Sequence, residues 1–265
     1  MSRPQPQLST FNDKKIIINQ TWAGPMAAYV EDNTFCNHVS NGAIFEQDMI
    51  LDMLEPYIKR CKVMIDIGGH SGHHTIPYCA LNDGVEVHTF EPQKHMFELL
   101  NINILNNKDK CKNVRTYNMA VGNTHCETHL CKPEANAGQD KDKFEYGGVH
   151  IGTDGEPTKM ITLDSLNFQK CDWMKIDVEG AEPLVLEGAI ETIKRCRPII
   201  CFESNWTIGN REKFPDDFKN IEKTSHEILE ELEYVIHPLV YDNFIAFPIV
   251  KSNFKNMSGC PSSAN

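Results

Sequence analysis

Residues 63–79 read VMIDIGGHSGHHTIPYC, an apolar run followed by three glycines interleaved with three histidines. A stretch of this kind serves either as a cofactor loop behind a buried strand or as a metal site. The spacing separates the two. A dinucleotide fingerprint requires G-x-G-x-x-G, but the third and sixth positions counted from Gly68 are His70 and His73. A P-loop requires a lysine, and none lies between Met64 and Asp83. What remains is D-x-G-x-x-x-G, formed by Asp66, Gly68 and Gly72 at a strand-to-helix turn. Glycines there let the backbone approach a ligand closely, and Asp66 at the strand end offers a carboxylate to a positively charged amino group. His70, His73 and His74 would share one face only if all three were helical. His70 lies between glycines, so the trio is not assigned a metal.

Twenty-five residues beyond Asp66, a second apolar run ends in Phe90-Glu91-Pro92. An acidic residue at this point of an α/β fold accepts hydrogen bonds from both hydroxyls of a ribose. An amino acid joined to a nucleoside, with a carboxylate waiting at each end, is S-adenosylmethionine. The loop residues Gly69, His70 and Ser71, together with Pro92, complete the expected cofactor contacts.

The surrounding rhythm fits that ligand. Strands are expected at CKVMIDIGG, VEVHTFEP, VRTYNMAVG, DWMKIDVEG, RPIICFES, YVIHP and FIAFP. Helices are expected over 45–59, from His73 to Asp83, from Gln93 to Asn107, over AEPLVLEGAIETIKRC and from about Asp217 to Glu233. Strands alternating with helices at this spacing predict an α/β fold: a doubly wound, mostly parallel seven-stranded sheet with helices on both faces. The first dozen residues are polar and rich in Pro and Gln, and are expected to be a loose arm. Two segments break the rhythm, residues 123–160 and 205–215, and both are candidates for substrate recognition.

Composition narrows the partners. Of 265 residues, 40% are hydrophobic and 24% charged, as in an ordinary globular protein. A net charge of −11 is the opposite of the basic footprint that long nucleic acid requires. No apolar run reaches the roughly 18 residues of a membrane span, and the opening residues lack a secretory h-region. A cytoplasmic location is expected. The ten cysteines are scattered without a C-x-x-C pair, which predicts reduced thiols rather than zinc ligands or disulfides.

The fourth strand carries the chemistry. In WMKIDVEG, Lys175, Asp177 and Glu179 alternate along an extended chain and would project to one face. Three charges in a strand buried on both faces call for a reason. Asp177, at the strand end, is the first choice for a base or acceptor-positioning residue, and Glu179 the second. Lys175 is either their counter-ion or, with a lowered pKa, a base itself. The alternative is a structural Lys–carboxylate pair, with Glu179 at the following helix N-terminus. Glu203, which ends the fifth strand, faces the same cleft.

These blocks together resemble the FkbM-type S-adenosylmethionine-dependent methyltransferases. The resemblance rests on IDIGGHSGHHTIPYC, HTFEP, the region of Asn101 and Asn103, MAVG, ITLDSL, MKIDVEGAEPLVLEGA and RPIICFES, from about Val63 to Ser204. It implies a Rossmann-like class I methyltransferase domain over residues 45–250, with the insertion at 123–160, preceded by an N-terminal arm and extension (1–44) and followed by a tail (251–265). It places Asp66, Gly68 and Gly72 at the methionine end of the cofactor, Glu91 on the ribose and the backbone of Ala120 beside the adenine. The family carries Ala-Asn where this chain has Gly69-His70. The implied activity is methylation of a hydroxyl on a sugar, glycan or similar small acceptor. An N- or protein-directed methyltransferase and a degenerate binding module are the rival readings. Asp177, Glu179 and Glu203 also form a chemically sensible set for a divalent metal, although none is assigned.

Overall fold

The computed structural model describes residues 6–131, 146–153, 155–204 and 221–250. The chain opens with three strands, β1 (Gln7–Phe11), β2 (Lys14–Gln20) and β3 (Pro25–Tyr29), which form an antiparallel sheet. Gln7–Phe11 was expected to be a loose arm. It pairs instead with β2, whose Ile16 and Ile17 are buried and anchor the ribbon. Helix α1 (Asn33–Ser40) follows, capped by Asp32, and then a π-helical turn (Met49–Leu54) running into α2 (Glu55–Ile58). Pro56 stands in the first turn of α2, so it divides the expected helix rather than ending it.

The central alternation is β4 (Val63–Ile67), α3 (Thr75–Leu81), β5 (Glu86–Phe90), α4 (Lys94–Asn106) and β6 (Val114–Tyr117). The third strand then breaks at Asn118-Met119. Its continuation, β7 (Ala120–Val121), leaves the main sheet and joins β8 (Cys126–Cys131), β9 (His150–Gly152) and β10 (Glu156–Ile161) in a second sheet of order β7-β10-β8-β9. Part of the insertion expected to lack regular structure is therefore strand. Its side chains do not show a clean apolar alternation because much of this sheet is exposed.

The chain returns through β11 (Trp173–Ile176), α5 (Glu182–Glu187), α6 (Ile190–Cys196), β12 (Ile199–Glu203), α7 (Ser225–Glu231), β13 (Tyr234–Pro238) and β14 (Asn243–Pro248). The single helix expected over 181–196 is two. A Cβ at Gly188 would sit 1.9 Å from the carbonyl oxygen of Gly122, so this turn must lie directly against the loop after β7. The last helix starts later than expected, because Thr224 and Glu227 form a capping box at its N-terminus. Residues 217–220 of that expectation lie outside the described residues.

The main sheet has seven strands in the order β13-β14-β12-β11-β4-β5-β6, parallel except for β14, which pairs antiparallel with both β13 and β12. Successive side chains alternate between its two faces. Met64 and Trp173 pack with Ile58 and Ile76 on one face, while Ile65 and Met174 pack with Val185 and Ile193 on the other. Each fully buried aliphatic side chain of this kind contributes about 1.5–3 kcal/mol. From β4 the chain winds outward to β5 and β6, and then returns to β11 and β12 on the opposite side of β4. The switch point is therefore the crevice between the carboxyl ends of β4 and β11, where ligands of open α/β sheets bind. Gly68 follows β4 there, and Asp177 follows β11.

Candidate active site

A cavity of ≈ 370 Å³ opens at this switch point. Its floor is the loop after β4. Gly68 and Gly69 donate their amides to the Phe90 carbonyl, at 3.0 and 2.9 Å, which ties the loop to the end of β5. Gly68 adopts φ +85°, and a Cβ there would lie 1.7 Å from the Asp177 carbonyl oxygen. The strand ends carrying the loop and the acidic residues are thus in backbone contact. Gly69 is constrained differently: a Cβ would meet Thr89 Cγ2 at 2.1 Å. The alanine expected from the family resemblance does not fit beside this threonine. Gly69→Ala is expected to cost about 1–3 kcal/mol by overpacking. Thr89→Ser, which removes the colliding methyl and keeps the hydroxyl 2.8 Å from Thr75 Oγ1, should recover most of that loss. Thermal melting of the two single variants and the double variant measures the coupling.

His70 takes φ +47°, a conformation in which Asn and His are both enriched. This accounts for histidine at the expected asparagine position. Its amide donates to Glu91 Oε2 at 2.7 Å, and Gln93 donates its amide to Oε1 at 2.8 Å. Burial outweighs these two donors and raises the Glu91 carboxyl to about 8. The His70 ring stacks on Phe35 at 4.2 Å, so α1 roofs the loop.

Asp66, Ser71 and Gly72, also expected at the cofactor, lie just behind the cavity lining. Asp66 is fully buried and shares a sheet face with Met64, where Thr75 Oγ1 donates to its Oδ2 at 2.6 Å. It pairs in register with Lys175, so the two share the sheet face beneath α3. The Ser71 carbonyl accepts from Asn103 Nδ2 at 2.8 Å, which joins the loop to α4. Gly72, at φ +95°, faces Leu100 and Ile76 and serves the packing of the turn. Gly68, Gly69 and His70 do line the cavity, as do Glu91, Pro92 and Ala120.

The charged residues of the fourth strand converge, though not by continued alternation. β11 ends at Ile176, and the chain turns through Glu179 at φ +57° and Gly180 at φ +102°. The turn is held by Glu182, whose Oε1 accepts from the amides of Val178 and Gly180 at 3.0 and 3.2 Å. Glu182 thereby fills the amide-binding role considered for Glu179. Lys175, 2% exposed, donates to Asp177 Oδ2 at 2.7 Å. Burial would lower the lysine's pKa, but Asp177, Asp66 and Glu46 together raise it. The geometry pairs Lys175 with Asp177, and its pKa is raised rather than lowered. Burial would likewise raise Asp177, but the Lys175 ammonium and a hydrogen bond from Glu203 hold it below the ordinary carboxylate range. Glu203, at the end of β12, is pushed up to about 9 by burial and by the charges of Asp177 and Glu179. Glu179 is raised to about 8 by burial and by Asp177.

One atom each of Asp177, Glu179 and Glu203 lies within 4.8 Å of the others, which is the only triad of potential metal ligands among the described residues. Oxygen donors so arranged suit a hard divalent cation. The histidines form no such group. In chelator-treated protein the folded state holds protons on Glu179 and Glu203 more tightly than the unfolded state, whose value is 4.5. The stability they contribute is complete below that value and is lost as pH rises through about 8 and about 9. The melting temperature should fall over that window, and Glu179→Gln/Glu203→Gln should flatten the slope. An unchanged slope in the double variant would show that the two carboxyls do not titrate high.

The N-terminal extension contributes wall residues that the sequence did not mark. Asp32 and Phe35 line the cavity, as does Glu46, whose Oε2 lies 2.9 Å from His74 Nε2. Burial raises the Glu46 carboxyl, but His74 reverses this and holds it low. Asn243 of β14 donates to Glu46 Oε1 at 2.9 Å, which ties the start of the domain, just past the extension, to the end of β14. Among the described residues no helix is long and apolar enough to cross a membrane, and the nine described cysteines are free thiols.

The family model for the methyltransferase FkbM domain matches residues 66–236. No curated protein matches the sequence. Among solved structures, the chain is similar to a methyltransferase FkbM from Methylobacillus flagellatus KT, with 15% identity and a TM-score of 0.47. That match covers 71% of this chain and 43% of the other, so this chain spans less than half its length. It is also similar to an O-methyltransferase from Bacillus cereus solved in complex with SAH, with 18% identity and a TM-score of 0.47, covering 79% of this chain and 83% of the other. The domain match extends over more than half of the sequence, from the start of the glycine loop to the last pair of strands, and the chain belongs to the FkbM family of S-adenosylmethionine-dependent methyltransferases.

Proposed function

We propose that this protein methylates a hydroxyl group of a sugar, glycan or similar small polyol-like acceptor. The observation that carries this reading is the carboxylate cluster of Asp177, Glu179 and Glu203 in the same cavity as the glycine loop and Glu91. When bound, S-adenosylmethionine supplies an electrophilic methyl group on a sulfonium. Gly68 and Gly69 leave room for it at the loop, Glu91 takes the ribose, and the Ala120 backbone flanks the adenine.

A neutral alcohol is a poor nucleophile, so its proton must leave as the new bond forms. Asp177, kept ionised by Lys175, accepts a hydrogen bond from the acceptor hydroxyl, orients it and takes up its proton as the oxygen is methylated. Glu179 and Glu203, raised to about 8 and about 9, stay protonated beside it and leave Asp177 as the charged member of the cluster. Positioning of this kind supplies several kcal/mol toward an in-line displacement. A cleft so rich in carboxyl groups favours neutral, hydroxyl-bearing acceptors over anionic ones.

A methyl-transfer assay over a panel of neutral glycans, acidic glycans, peptides and amines, with and without a chelator, tests the reading. Transfer to neutral glycans supports it. Transfer only to peptides or amines overturns it, and loss of transfer on chelation reassigns the three carboxylates to a metal.

A further inference from the structure

The turn between β13 and β14 brings an aromatic residue to the cavity beside the acidic cluster. Tyr241 lines the cavity and is 63% exposed. It lies in the turn of residues 240–243, where the Asn243 amide donates to the Val240 carbonyl at 3.1 Å. Both central residues have positive φ, Tyr241 at +55° and Asp242 at +57°. Hairpin turns of this kind favour Asn and Gly, and a bulky ring in the left-handed region is uncommon.

The surroundings enforce that conformation. Asn243, 3% exposed, donates its side-chain amide to the Tyr241 carbonyl at 3.1 Å and to Glu46 Oε1 at 2.9 Å. The Ser204 amide donates to the Asp242 carbonyl at 3.0 Å, and Asn243 pairs in register with Glu203. Backbone strain held in this way by its neighbours concentrates at ligand sites. The fold itself draws little from the side chain. Among the described residues the Tyr241 hydroxyl has no hydrogen bond and its ring packs on no other ring. What the residue offers is an aromatic face at the mouth of a cavity that also holds Asp177 and Glu203. A sugar ring has an apolar face of C–H groups and a rim of hydroxyls, and it needs both kinds of surface at once. An aromatic face takes the first, and carboxyl groups take the second.

We propose that Tyr241 is the acceptor platform, its ring stacking on the C–H face of a sugar ring so that a hydroxyl on the rim reaches Asp177. The residue thereby selects cyclic sugars over acyclic polyols. This narrows the acceptor class of the hydroxyl-methylation reading and rests on it.

The test is initial-rate kinetics on the neutral glycan that wild-type protein methylates fastest, with calorimetric titration of S-adenosylhomocysteine alongside. Tyr241→Gly removes the ring and suits the backbone, so it should melt no earlier than wild type. Its KM for the glycan should rise about tenfold, while affinity for S-adenosylhomocysteine stays within about twofold. Tyr241→Phe and Tyr241→Trp keep an aromatic face and should hold the KM within about threefold. Alditols, which carry hydroxyls on an open chain, should be poorer acceptors than ring sugars for wild-type protein. An unchanged glycan KM in Tyr241→Gly, or equal losses for glycan and S-adenosylhomocysteine, would overturn the assignment. Earlier melting of Tyr241→Gly would make the residue structural, and alditols methylated as well as ring sugars would remove the selection. Wild-type transfer only to peptides or amines overturns the hydroxyl reading itself, and this assignment with it.

Discussion

Asp177→Asn is expected to lower methyl transfer by about 10²–10⁴-fold while leaving affinity for S-adenosylhomocysteine within a few fold. The asparagine keeps the size of the side chain but can no longer hold a negative charge against the acceptor hydroxyl. It also strands Lys175, which is 2% exposed and makes its 2.7 Å ion pair with Asp177. Removing one partner of a buried pair costs on the order of 3 kcal/mol, so the variant should also melt early. A second variant separates the two effects. Asp177→Asn/Lys175→Met replaces the pair with uncharged groups, an exchange that is often neutral for stability. It should recover melting temperature without recovering activity. Activity within about threefold of wild type in the single variant would remove Asp177 from the chemistry. Activity that returns together with stability in the double variant would make the residue structural.

The sheet was legible because its strands are buried on both faces, and such strands read as short apolar runs whatever their neighbours. VMIDI and WMKI needed no knowledge of the rest of the chain. The site was legible where it follows from strand order. A carboxylate just past β11 must face the loop just past β4, since the two strands are adjacent in the sheet. What the sequence did not show was which way Asp66 points. Asp66 ends the same apolar run as the glycines, but its place in the alternation puts it with Met64 and Thr75, under α3. The glycine pattern locates the turn without saying which way the preceding side chain points.

The N-terminal extension was illegible for a different reason. Nothing in its local pattern marks Phe35 as a cavity residue. Its role arises from stacking on His70, a contact between residues far apart in sequence. Asn103 illustrates the same difficulty. From α4 it exchanges two hydrogen bonds with the backbone of Ala27 in β3 and donates a third to the Ser71 carbonyl. One buried amide thus fastens the extension to the cofactor loop, and its meaning appears only when all three segments are in place.

Gly68→Ala is expected to be the most damaging single-methyl change in the cofactor loop. Two costs add at this position. The φ of +85° is one that L side chains rarely adopt, and strain of that kind costs about 1–3 kcal/mol. The new Cβ would also stand 1.7 Å from the Asp177 carbonyl oxygen, so either the loop or the end of β11 must move. Neither moves freely, because Gly68 donates to Phe90 and the Asp177 amide donates to the Ile67 carbonyl at 3.0 Å. The sum should reach on the order of 3 kcal/mol or more, with S-adenosylhomocysteine binding weakened at least about tenfold. Gly84→Ala provides the internal comparison. Gly84 has φ +81°, nearly the same strain, but a Cβ there would meet nothing within 4 Å. The difference in melting temperature between the two variants therefore isolates the collision with Asp177 from the backbone strain. If both variants melt at the same temperature, the loop and the strand end are not in the contact described, and the coupling between cofactor loop and acidic cluster must be abandoned.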